Sequence, residues 1–280
     1  EEVAEVNGER FKTLQAAINA AEIAASSDSQ ATVTITLLMD VTGGAVTFDQ
    51  SGKYVLDLGG KTYTSNSNTD VIMIKQGNID LTIQNGSLIG HGSNTYGIYV
   101  YAVNASNTYD NVTVTLDGVR LDVTDQALGV QGLNSNNNLI VKNSSVNAGT
   151  AIYFPPKSGK LTIVDSVITG VDNAIVVKGG EVEISGDTTV RATGEPKESD
   201  EPYTGDPAHP ETFPISGSAI YVEGNYKDNE GNARPITLNI NGGTFISEHS
   251  AAVTDKFIEP DNEAIQKVQN EEIARQVFET

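Results

Sequence analysis

Cysteine and tryptophan are absent from this 280-residue chain, and methionine occurs twice. Without cysteine there can be no disulfide framework, thiolate zinc site, iron–sulfur cluster or cysteine nucleophile. Aromatic residues make up 6% of the chain, little for a compact globular core. Cations are scarce as well: 17 Lys and Arg stand against 37 Asp and Glu, for a net charge of −20. Such a chain repels a phosphate backbone, so no nucleic-acid partner is expected, and any partner should be neutral or cationic. No segment approaches the roughly 18 consecutive apolar residues of a spanning helix, and no basic-then-apolar leader is visible. The expectation is a soluble segment without membrane insertion, its targeting or anchoring parts removed or lying outside it.

What the chain does have is valine, isoleucine, threonine, asparagine and 27 glycines, the usage of short strands broken by tight turns. The turns recur. Seven segments share a run of alternating β-formers, a turn residue and a further apolar residue: 54–63, 80–89, 112–121, 138–147, 160–169, 181–190 and 236–245. Their last apolar residues before the turn are Leu58, Ile83, Leu116, Val141, Ile163, Ile184 and Ile240. Two positions beyond each anchor stand Gly60, Asn85, Gly118, Asn143, Asp165, Gly186 and Gly242. All are residue types that tolerate a positive φ, so one left-handed bend per repeat is predicted.

A second column supports the period. VIMIK (71–75), GIYVY (97–101), ALGVQ (127–131), AIYFP (151–155), AIVVK (174–178) and AIYVE (219–223) each alternate with period 2. The inward set would be Ile72/Ile74, Ile98/Val100, Leu128/Val130, Ile152/Phe154, Ile175/Val177 and Ile220/Val222. Short strands with this constant sidedness suit a parallel β-helix, each strand pairing with its counterpart in the next rung. About eight rungs at ~4.8 Å would make a column about 40 Å long.

The expected fold is therefore all-β: one solenoid domain over 1–280, a single-stranded right-handed parallel β-helix whose handedness follows the crossover preference. Rungs would fill 33–255, with loop insertions at 194–217 and 225–235. A helix over 11–25, with Phe11, Leu14, Ala17, Ile18 and Ala21 on one face, would cap the front. A second helix over 260–279 would close the back or lead into a following segment.

Segments 3–21, 33–41, 54–65 and 238–245 resemble cell-surface β-helix proteins of gut Firmicutes, within the pectate-lyase-like superfamily. The resemblance implies this fold and an extracellular or cell-surface setting, and it turns attention to carbohydrate without specifying a reaction. Hydrolases of the superfamily carry an Asn-Thr-Asp segment and a Gly-His-Gly, matched here by Asn68-Thr69-Asp70 and Gly90-His91-Gly92. The adjacent Asp pair that accompanies them is missing, and inverting hydrolysis needs two facing carboxylates. For lyase chemistry, Lys178 and Glu223 would lie in one outward column. The catalytic candidates are thus Asp70, His91, Lys178 and Glu223, if the chain is an enzyme at all. Calcium is the one cofactor considered, with Asp122, Asp125 and Asp172 as oxygen donors.

The ligand-binding candidates are Tyr99, Tyr101, Tyr153 and Tyr221, predicted to form an exposed tyrosine face with Gly129 among them, suited to stacking on sugar rings. The acidic, proline-rich stretch 194–217 would either be a solvated loop or wall a groove beside these rings. The functional expectation is a non-catalytic surface or adhesin-type domain, monomeric or weakly oligomeric, binding a carbohydrate or host-surface ligand. The alternative is a polysaccharide lyase or glycoside hydrolase with an atypical site.

Overall fold

The computed structural model describes residues 1–104, 107–132, 135–197, 215–223, 236–255 and 265–266. The chain is mainly β, 57% strand, with one helix near the N-terminus and a large, largely parallel sheet.

Three parallel ladders account for most of the pairing. The first joins Thr32–Leu37, Gly52–Asp57, the first halves of Ile79–Gly90 and Thr113–Val123, Asn138–Lys142, Lys160–Val164, Gly180–Ser185 and Ile236–Ile240. Within it, Ile83, Leu116, Val141, Ile163, Ile184 and Ile240 are register partners in succession, as their alignment in the sequence predicts. Leu58 departs from the pattern: Ile83 pairs with Leu56 instead. Two consecutive glycines, Gly59 and Gly60, both at positive φ, absorb the displacement.

The predicted bends are left-handed at Gly60, Asn85, Gly118, Asn143, Asp165 and Gly186. In the last repeat the positive φ falls on Gly243, one residue beyond the expected Gly242. Side chains at these corners bond up and down the column: the Asn143 amide donates to Asp117 at 3.0 Å, and the Asp187 N–H donates to Asp165 at 2.8 Å. Asn143→Ala is expected to cost about 1–2 kcal/mol in urea denaturation, because alanine must then hold φ 51°. Asn143→Gly should recover most of that loss.

Beyond the bend, a second ladder joins Val41–Gly43, Thr62–Ser65, the second halves of Ile79–Gly90 and Thr113–Val123, then 145–148, 167–170, Thr189–Ala192 and Thr244–Ser247. The third ladder joins Val46–Phe48, Asp70–Ile74, Tyr96–Val100, Gln126–Val130, 150–154, 173–177, Ile220–Val222 and Val253–Asp255. All the residues expected to point inward from this ladder are buried in one continuous core. Alternation therefore placed the core correctly.

The ends differ more from expectation. The N-terminal helix runs Leu14–Ser27, not 11–25. Thr13 caps it by accepting from the Ala16 N–H at 3.1 Å, which sets the start, while Phe11 lies in the preceding strand Glu9–Phe11. Leu14, Ala17, Ile18 and Ala21 are buried against the core, as an end cap requires. The Glu22 carboxylate on the same face accepts from the Asp49 and Gln50 amides. At the other end, Ile265–Gln266 form a strand parallel to Ile236–Ile240. That replaces helix with strand at those two positions, and the remainder of 260–279 lies outside the described residues. So do most of 194–217 and all of 225–235.

Candidate functional site

The third ladder brings three of the four predicted tyrosines into one column, since Tyr99, Gly129, Tyr153, Val176 and Tyr221 are successive register partners, with Tyr101 just past the end of the strand Tyr96–Val100. Their exposure was expected, and it is not found. Tyr99 and Tyr153 are 1% exposed and Tyr221 is fully buried, while Tyr101 is half-buried. The rings do not stand away from the sheet. Tyr99 lies over the neighbouring strand, where a Cβ on Gly129 would sit 2.1 Å from the ring. Tyr96 stacks on Tyr99 at 4.9 Å between centroids, and the Tyr99 hydroxyl donates to Gln126 at 3.2 Å.

The catalytic candidates fall into three separate places. Asp70 is buried and accepts from the Tyr101 hydroxyl at 2.6 Å. Burial, reinforced by this bond, pushes the Tyr101 phenol well above its ordinary range. Lys178 and Glu223 meet in a buried ion pair, 3.3 Å from Nζ to Oε2, with Nζ 5.4 Å from the Tyr153 ring centre. The strands that lead into Lys178 and Glu223 lie four and five strand spacings from that of Asp70, about 19 and 24 Å along the ladder. His91 is exposed one residue beyond the second-ladder strand that ends at Gly90, its Nε2 3.5 Å from Asp122. These groups do not converge on one reacting atom.

The calcium candidates also separate. The Asp122 carboxylate already accepts from Arg120 at 2.7 Å and Asn147 at 3.0 Å. These bonds, with His91, outweigh partial burial and hold its pKa below the usual carboxylate value. A carboxylate with a guanidinium at that distance is a poor cation ligand, leaving Asp125 and Asp172 short of the six to eight oxygens calcium takes. Among the described residues no group of three or more His, Asp or Glu could hold a metal ion.

Asp125 and Asp172 are nevertheless an informative pair. Burial raises both pKa values, and the charge of Asp172 raises that of Asp125 further. A carboxylate raised on folding contributes most below its unfolded pKa, and that contribution is lost as pH rises through the folded pKa. Asp125→Asn should therefore raise the Tm at pH 7, with the gain shrinking as pH falls to 4. Thermal melts across that range check the sign.

Sequence reasoning missed the polar columns at the corners. Asn136 donates to Asn111 at 2.7 Å and Asn111 to Asn78 at 3.1 Å, with Asn78 and Asn111 left-handed. Ser144, Ser166 and Thr188 form a buried hydroxyl column: Ser144 Oγ accepts from Val119, Ser166 Oγ from Ser144 and Thr188 Oγ1 from Ser166. Part of the signal was available, since Asn78, Asn111 and Gly180 stand just before or at the start of first-ladder strands.

Compared with protein-family models, curated proteins and solved structures, the chain matches none of them.

The outer face of the second ladder supplies an exposed polar surface. Arg120 and Asp122 project from one strand, with Ser145 and Asn147 opposite them on the next. A shallow groove of about 480 Å³ runs beside them, lined by Ser87, Arg120, Asn143, Ser145, Asp165 and Val167.

Proposed function

We propose that the chain is a single-stranded right-handed parallel β-helix of the pectate-lyase-like kind, serving as a non-catalytic extracellular binding domain for carbohydrate. The three ladders and recurrent bends support the architecture. The extracellular setting rests on the sequence resemblance alone.

The observation that carries the binding role is the set of exposed Arg120, Asn147 and His91 around the partly buried Asp122, with Arg120 lining an open groove. Asp122 is held in place by Arg120 and Asn147, so it meets a ligand already oriented. Planar donors and acceptors repeated at the strand spacing of ~4.8 Å suit the hydroxyls of a sugar chain. The buried tyrosines give way to this face as the place of contact.

A glycan array on the purified chain, followed by calorimetry on the best ligand, tests the proposal. Asp122→Ala and Arg120→Ala should each weaken binding about tenfold, or ~1.4 kcal/mol. An array without binding sinks the sugar-binding role. Release of unsaturated or reducing-end products, abolished by Glu223→Gln, would replace it with the lyase or hydrolase alternative.

A further inference from the structure

The Lys178–Glu223 pair is not needed by the proposed binding face, yet it joins two of the most completely buried ionisable groups described. Their side chains are 0% and 2% exposed. The backbone fixes them side by side: Val177 and Val222 are register partners, and the Glu223 N–H donates to the Val177 carbonyl at 2.9 Å. Lys178 in turn donates its N–H to the Phe154 carbonyl at 3.0 Å. The Lys178 ammonium lies 5.4 Å from the centre of the Tyr153 ring, which is buried in a cluster with Val176 and Tyr221. The Lys178 nitrogen and a Glu223 carboxyl oxygen are thus held 3.3 Å apart, next to the carbon the amine would attack, in a place that excludes bulk water.

We infer that Lys178 and Glu223 condense to an isopeptide bond in the mature chain. The ammonium first passes one proton to the carboxylate, giving a neutral amine and acid, the forms a low-dielectric site tolerates best. The Nζ lone pair then attacks Cδ of Glu223. The tetrahedral intermediate collapses as the Cδ–OH bond breaks, and the hydroxyl leaves as water with a proton from Nζ. One C–N bond forms, one C–O bond breaks, and nothing is oxidised or reduced. The amide carries neither buried charge, and expulsion of water from an apolar site opposes the reverse step. The resulting link spans residues 178–223 and so encloses the proline-rich stretch 194–217. In a chain without cysteine, this provides a covalent closure that a disulfide cannot.

Intact mass spectrometry of the purified full chain under denaturing conditions tests the inference. The mass should fall about 18 Da below that of the sequence, one water lost. Proteolytic mapping should yield a branched peptide joining Lys178 to Glu223, and Lys178→Arg should restore the full mass. Full mass in a wild-type chain shown folded by circular dichroism overturns the proposal. So does a water loss that persists in Lys178→Arg, or one that maps to Asp117-Gly118, where a succinimide has the same mass change.

Discussion

Gly129→Ala is expected to destabilise the protein by about 3 kcal/mol, the upper end of what overpacking usually costs. The added methyl would meet the Tyr99 ring at 2.1, 2.7 and 2.8 Å, and the ring has little freedom to retreat. Tyr96 stacks on it, Tyr101 packs against it at 5.4 Å, and its hydroxyl is tied to Gln126. Had the tyrosine face been exposed, as alternation suggested, the same substitution would fall within about 0.5 kcal/mol of neutral. Urea denaturation of Gly129→Ala, Tyr99→Ala and the double variant separates the two arrangements. Tyr99→Ala alone should cost about 3–5 kcal/mol for the lost ring. The double variant should be close to Tyr99→Ala, because without the ring the methyl has nothing to strike. Additive costs would refute the packing described.

Removing one member of the buried pair should be at least as damaging. Lys178→Met leaves the Glu223 carboxyl group in a dry site without its cation, and Glu223→Leu leaves the ammonium without its anion. Each single change is expected to cost about 3–5 kcal/mol. The double variant, with both charges gone and the volume kept apolar, should recover much of the loss, as replacing a whole buried pair often does. Equilibrium unfolding of the three variants completes the cycle. Single changes near neutrality would mean that Lys178 and Glu223 reach water. An isopeptide link leaves the sign of the single changes as stated, and limits the recovery in the double variant to the part owed to the unpaired charge, since that variant lacks the bond as well.

Legibility in the sequence followed the range of the interaction. Left-handed bends at Asn85, Asn143 and Asp165 were readable because a positive φ is set by the residue's own sterics. The inward Ile, Val and Leu of the third ladder were readable because alternation has a period of 2. Leu58 was misaligned because a second glycine allowed a shift that no local pattern marks. The helix start moved to Leu14 because a cap depends on one side-chain bond, from Ala16 to Thr13. For the site, the outward column of Tyr99, Tyr153 and Tyr221 was found, but outward from the sheet was equated with exposed to solvent. Small residues on the next strand, Gly129 above all, let a ring lie down along the ladder.

By itself, then, the sequence determined a mainly β chain of recurrent strands, where it bends and which side chains enter the core. These are consequences of backbone sterics and strand periodicity, which act within a few residues. Only the tertiary structure decided which outward face is covered and which charges meet. Lys178 meets Glu223, 45 residues on in the sequence, and Asp122, beside Arg120 on its own strand, also takes Asn147 from the next strand and His91 from the end of the preceding one. Contacts between strands depend on their register, and no local pattern encodes it.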